Sequence, residues 1–189
     1  MRFDAGQVSV CTYSMLTQPT EAKRRLGVAC ATDRLPGLLT GRQCLEVYAK
    51  AKGLASIEAD IPEIAAQLGF MKFMDRCVDA YSLGTRQKLA VLLALLGDPA
   101  LIVLDEAFNG LDPASAVTLK RLLRARLSEL RCGVLLATHS LDIVEHHADT
   151  AALMLDGRIA RTWDQADIAR LRGMGSDGIE AALAAASVD

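Results

Sequence analysis

The sequence predicts an α/β fold, a mainly parallel sheet carrying a small helical subdomain. Three observations predict it. Residues 101–104 (LIVL) are a short, wholly apolar run ending at Asp105, the composition of a strand buried on both faces of a parallel sheet. Residues 133–138 form a second such run. The two runs alternate with helical patterns before, between and after them, which implies right-handed parallel crossovers. The chain's 189 residues suffice for one domain with a real core. Its 51% apolar and 23% charged residues exclude a disordered chain, a coiled coil or a collagen.

The elements follow in order. Residues 8–12 alternate as a strand does, and 26–31 form a second short apolar run. Residues 33–41 carry Pro36, Gly37 and Gly41 and read as a loop. Residues 42–52 have helical spacing (Leu45, Tyr48, Ala49) and stop at Gly53. An amphipathic helix within 57–68 starts near Asp60, because Pro62 belongs in a first turn, and Gly69 stops it. Residues 82–96 are a strongly apolar helix with Gly97 and Pro99 just beyond. Asp112-Pro113 is a helix start, a capping side chain before a first-turn proline. That helix runs to about Arg131, with Leu119, Leu122, Leu123, Leu127 and Leu130 as the buried stripe. Lys120, Arg121, Arg124 and Arg126 fill its solvated face. Ser140 caps a short helix through His147, and residues 150–155 and 158–163 form a β-hairpin around Asp156-Gly157. Two weaker helices complete the chain. The expected organisation is one domain: a sheet core from 1–40 and 98–163, a helical subdomain over 41–97, and C-terminal helices over 164–189.

Composition also limits function. Twenty-one Lys plus Arg against 23 Asp plus Glu leave a net charge of −2, so nothing pulls the chain as a whole toward nucleic acid or an anionic membrane. The longest unbroken apolar run, 89–96, is far short of the ~20 residues a spanning helix needs. Asp4 and Gln7 interrupt the start, which has no apolar stretch of a secretory signal. Five scattered cysteines with no CxxC are expected to be buried, reduced thiols of a cytosolic protein. The adjacent His146 and His147 point in different directions on a helix and do not make a metal cluster.

Four segments carry chemistry. LIVLDEA (101–107) places Asp105 and Glu106 where a buried strand leaves the sheet, the usual position of ligand sites in such sheets. A carboxylate there suits Mg²⁺, and a second suits an attacking water, the pairing that nucleotide hydrolysis needs. YSLGTRQK (81–88) opens the helix before that strand, and Ser82 and Gly84 offer a hydroxyl and an accessible backbone at a helix N-terminus, suited to phosphate oxygens. GLDP (110–113) follows as a capped turn, and ATHS (137–140) ends the next strand with His139.

In this order and spacing, the four segments resemble the signature motif, Walker B motif, D-loop and switch histidine of the ATP-binding-cassette (ABC) ATPases. Residues 22–54 also resemble the stretch leading through the Q-loop into that family's helical subdomain, and MLDGRIA (154–160) resembles its later strand–turn–strand. TGRQCLEVYA (40–49) is most similar to ATPases of exporters whose membrane part is a separate protein. The resemblance implies the P-loop NTPase fold of ABC type. It implies that Asp105 binds Mg²⁺ through water, that Glu106 is the general base and that His139 contacts the γ-phosphate. It further implies that Asp112 couples two sites across a dimer, and that Ser82 and Gly84 touch the γ-phosphate of ATP held by the other subunit. The implied partners are a second ABC ATPase subunit and an integral membrane permease subunit, with the chain on the cytoplasmic face of the membrane and no nucleic acid bound.

The sequence departs from the family in four places. No glycine is followed by Lys, so the P-loop G-x-x-x-x-G-K-[ST] is absent, and the expected fold lacks its first strand and P-loop. No Gln stands near Ala31, where the Q-loop aligns; Asp33 is the nearest polar candidate. Leu83 replaces the first signature glycine, and Ala107 replaces the proline after Glu106. The absent P-loop is read as truncation rather than as a partner evolved to lend only its signature motif, because Glu106 and His139 serve ATP held by their own subunit. On this reading the chain alone does not hydrolyse ATP, and strand 101–104 loses a neighbour, exposing an apolar edge. Two other classes compete: DNA-maintenance ATPases of the SMC type, which need long heptad coiled coils that this sequence lacks, and a non-catalytic interaction module.

Overall fold

The computed structural model describes residues 4–29, 31–57, 60–129, 132–174 and 178–182. Two units, Met1–Ala137 and Thr138–Asp189, each close on themselves.

The first unit opens with an antiparallel hairpin, β1 (Ser9–Val10) and β2 (Tyr13–Ser14). The expected strand over 8–12 is therefore cut short: Cys11 takes a left-handed φ of 55° and turns the chain back on itself. Helix α1 (Pro19–Arg24) leads into β3 (Leu26–Ala29), which pairs in parallel with β4 (Leu101–Asp105) from Leu26 opposite Leu101. On its other side β4 pairs in parallel with β5 (Gly133–Ala137) from Leu101 opposite Gly133. The sheet order is β3–β4–β5.

Helical segments fill the interval between β3 and β4. A capping box between Thr40 and Gln43 starts α2 (Gly41–Lys52), and Gly53 at φ 82° ends it. Helix α3 (Asp60–Gln67) is followed by Gly69 at φ 64°. Helix α4 (Leu83–Leu95) is capped by Ser82 and is buried nearly all round. It lies so close to β3 that a Cβ at Gly27 would collide with the Ala94 carbonyl. Leu45, Ile61, Leu68, Phe70, Leu89, Leu92 and Ile102 belong to one continuous core. Helix α5 (Pro113–Glu129) returns the chain from β4 to β5.

The burial pattern corrects several expectations. Strand β4 is not uniformly buried: Ile102 and Leu104 are fully covered, while Leu101 and Val103 on the other face are half-buried. Nor does it lack a neighbour, since β3 and β5 flank it. Among the described residues the two outer strands, β3 and β5, each have an unpaired edge, and Leu135 of β5 is 60% exposed although its sequence reads as a buried strand. On α5, Leu119 and Leu123 are buried but Leu127 is exposed, and Leu130 and Arg131 lie outside the described residues. Arg126, expected in solvent, is buried because its guanidinium donates to the Asp98 carboxylate at 2.7 Å. Among the described cysteines Cys44 and Cys132 are buried. Cys11, in a turn, and Cys77, bridged to Thr40, are exposed, and Cys30 lies outside the described residues.

The second unit contains α6 (Leu141–His147), a hairpin of β6 (Ala151–Leu155) and β7 (Arg158–Trp163), and α7 (Gln165–Gly173). Asp156 and Gly157 both have positive φ, 49° and 75°, as a tight two-residue hairpin turn requires. Ser140 precedes α6, but its side chain caps nothing; instead its N–H donates to Thr138 Oγ1 at 3.1 Å. Trp163, Ile168, Leu171 and Ile179 form a small separate core. Residues 178–182 are helical; the rest of the expected last helix lies outside the described residues.

Candidate nucleotide site

The site is built at the two places where secondary structure starts and stops in the first unit. Ser82 caps α4: its Oγ accepts the Thr85 N–H at 3.3 Å and lies 2.9 Å from Thr85 Oγ1. A serine hydroxyl has one donor and two acceptor positions. With Thr85 Oγ1 as the donor in that pair, the Ser82 hydrogen is free for an incoming anion. The amides of Leu83 and Gly84 belong to a first helical turn, which has no carbonyl of its own to receive them, so the start of α4 is electropositive.

Gly84 answers a steric demand as well. A Cβ there would strike the Gly110 carbonyl. Gly110 has φ 77°, and the Leu83 side chain packs against the position a Cβ on Gly110 would take, at 3.2 Å. Leu83, standing where the resembled motif has glycine, is thus the cover over Gly110.

Asp112 begins α5. Its Oδ1 accepts the Ser115 N–H at 2.9 Å, and its Oδ2 accepts the Ser115 hydroxyl at 2.7 Å and the Lys88 ammonium at 2.9 Å. The Lys88 ammonium, followed by the Ser115 hydroxyl and amide, holds the Asp112 carboxyl well below the usual carboxylate range. Ser82, Gly84, Lys88, Gly110, Asp112 and Ser115 line one open groove of about 610 Å³. Three of the six residues expected from sequence therefore share one wall.

Asp105 and Glu106 stand at the C-terminal end of β4. The Asp105 Cα is in register with Ala137, and the Glu106 N–H donates to the Ala137 carbonyl at 3.0 Å, extending the ladder by one residue. Glu106 then takes φ 47° and leaves the sheet, a conformation that costs a non-glycine residue of order 1–3 kcal/mol. Asn109 fixes it there: its N–H donates to the Glu106 carbonyl at 3.0 Å, and its Nδ2 donates to Glu106 Oε2 at 3.2 Å. Ala107 beside it is fully buried. His139 is an exposed residue of the second unit, on the lining of an apolar cavity of about 230 Å³ with Trp163 and Leu171. Asp33 is exposed in a 3₁₀ turn, Thr32–Arg34.

The residue types fit the ligands that the sequence implies. Among the described residues, no three His, Cys, Asp or Glu side chains converge. A cation here would rest on the exposed Asp105 carboxylate, and Mg²⁺ commonly takes one or two carboxylates with phosphate oxygens and water. Hydroxyls and helix amides in the groove suit phosphate. Lys88, Asn109, Gly110 and Ser115 were not singled out individually in the sequence. Ser115 had a signal, three residues after a capping Asp, whereas the pairing of Lys88 with Asp112 spans 24 residues and has none.

The ABC transporter family model matches residues 2–109. The chain belongs to the ABC transporter family. A second model, an AAA domain, matches residues 75–145, the part holding α4, β4 and α5. Human phospholipid-transporting ATPase ABCA7 is 36% identical over 157 residues, covering 81% of this chain and 7% of that protein. The ABC chain thus spans a small part of this curated relative's length. A solved ATP-binding subunit of an ABC transporter superposes with a TM-score of 0.79 at 27% identity, covering 92% of this chain and 73% of that one. The dimeric MJ0796 cassette in a post-hydrolysis state with ADP and Pi superposes with a TM-score of 0.75 at 18% identity, covering 86% and 74%, and shows the shared fold. The P-loop NTPase fold of ABC type is therefore that of this chain. ATP binding and hydrolysis are activities of the family. Among the described residues no helix is long and apolar enough to cross a membrane.

Proposed function

We propose that the chain works as the ATP-binding part of an ABC transporter, coupling ATP binding and hydrolysis to transport by a separate integral membrane subunit on whose cytoplasmic face it docks. The observation that carries this reading is the groove in which Ser82, Gly84 and Asp112 come together. In a dimer with a second ATPase subunit, Ser82 and Gly84 contact the γ-phosphate of ATP held by that subunit. Asp112 links the two sites.

On the chain's own side, Asp105 holds Mg²⁺, which when bound neutralises phosphate charge. Glu106, oriented by Asn109, accepts a proton from the attacking water. His139 donates to the γ-phosphate. The 189 residues contain no P-loop, so the chain alone is not expected to turn over ATP, and activity belongs to an assembly that supplies one.

The test is to tag the chain in its native cell, purify its assembly in detergent and measure ATPase activity. Identification of a multi-spanning membrane protein and ATP turnover abolished by Glu106→Gln support the reading. Turnover that ignores Glu106→Gln but is lost with Ser82→Arg makes the chain a non-catalytic partner lending its signature motif. No turnover and no membrane protein would sink both. Phospholipid, the cargo in the name of human ABCA7, is the first substrate to try.

A further inference from the structure

Lys88 has no place in the nucleotide chemistry above, yet its position is specific. It lies on α4, one turn beyond Gly84, and its side chain is only 13% exposed. An ammonium withdrawn from water in this way requires a compensating partner, and it meets the Asp112 carboxylate at 2.9 Å. That carboxylate also receives two donors from Ser115, so Lys88 is clamped to a group with little freedom. A second fastening is independent of charge: the backbone of Gly110 lies against Gly84, with Leu83 over it. Asn109, next in the chain, holds the Glu106 carboxylate at 3.2 Å. The start of α4, residues 109–112 and Glu106 are thus joined by consecutive contacts within one unit.

We propose that Lys88 is a positioning residue that clasps residues 109–112 to α4, so that the turn holding Ser82 and Gly84 sets the orientation of Glu106 in the same chain. This rests on the proposed function for its consequence and on geometry alone for the clasp. Two interactions fix the loop, one ionic and one steric. Removing the ionic one leaves a backbone contact that restricts position without restricting rotation about the loop. Glu106 then loses alignment while the groove itself remains. A contact of this kind typically couples sites by 5–150-fold.

The experiment uses the purified assembly with Lys88→Met, which keeps the apolar stem, and Lys88→Arg, which keeps the charge. Amide hydrogen exchange of residues 109–112 is expected to quicken by roughly tenfold or more in the Met variant and to stay near the parent in the Arg variant. In ATP turnover, kcat is expected to fall by about tenfold or more with KM within about twofold, and Arg is expected to recover most of it. Unchanged exchange, or unchanged kcat in an active assembly, would overturn the clasp. If the parent assembly does not hydrolyse ATP, the functional reading fails and exchange alone decides the clasp. Should Lys88→Met not fold, Asp112→Asn keeps an acceptor for the Ser115 amide and removes the ion pair; because Asp112 also links the two sites, this variant carries the exchange expectation, and unchanged exchange in it overturns the clasp.

Discussion

Strands β4 and β5 are near-twins as sequences, LIVLD and GVLLA, and neighbours in one parallel sheet. Their surroundings differ. Ile102 and Leu104 of β4 are fully buried on the face turned into the core, whereas Leu135 of β5, in register with Val103 on the other face, is 60% exposed. An apolar run therefore reports that a segment is suited to burial. It does not report which of its faces the fold covers. The sequence predicts an exposed edge at 101–104, and the structure places the edges on the two strands that flank it.

The comparison can be broken most directly by truncating each strand in turn. Leu104→Ala should cost about 2–5 kcal/mol, because it opens a cavity in a covered core. Leu135→Ala should stay within about 0.5 kcal/mol. Urea melts read both, and equal losses would show that β5 is covered in solution.

Next in size is Gly84→Ala. The added methyl meets the Gly110 carbonyl, and relieving such a clash costs typically 1–3 kcal/mol. The same substitution at Gly173, where nothing lies within 4 Å, should not destabilise the fold. A thermal melt of the pair sharpens the contrast between a fastened surface and an open one.

A smaller effect concerns protons. The Asp112 carboxyl is held below its ordinary value of 3.8, chiefly by Lys88. A lowered carboxylate contributes stability above its unfolded value and loses it as pH falls through the folded one. The clasp should therefore outlast pH 3.8 and weaken only at more acid pH. Lys88→Met should raise the titration midpoint of Asp112, read by carboxyl ¹³C NMR. A midpoint that does not move would assign the shift to Ser115.

The smallest change in stability, and the most practical, is Leu135→Lys. A charge on an open strand edge blocks pairing with other chains, so light scattering should fall while the melting curve moves little.

The elements beside these strands were legible where the cause is local. Gly53, Ser82, Asp112-Pro113 and Asp156-Gly157 each mark a boundary that the structure keeps, because a cap or a positive φ is decided within a few residues. The candidate site residues Ser82, Gly84, Asp105, Glu106, Asp112 and His139 follow from motif order, and the structure gathers three of them, Ser82, Gly84 and Asp112, along one groove. What could not be read was anything that depends on a distant partner. Arg126 reads as solvated, yet the Asp98 carboxylate, 28 residues away, receives it in a buried position, and Leu127 has the spacing of a buried residue yet faces outward.

The sequence by itself determined the family, the run of helices and strands and the residue types of the candidate site. Those follow from short-range backbone preferences and from chemistry that few residues perform. Only the tertiary structure decided that β4 is central and β5 an edge, that Lys88 meets Asp112, and that Gly84 must be glycine because Gly110 passes over it. Contacts between residues far apart in the chain obey packing, which no local pattern of residues records.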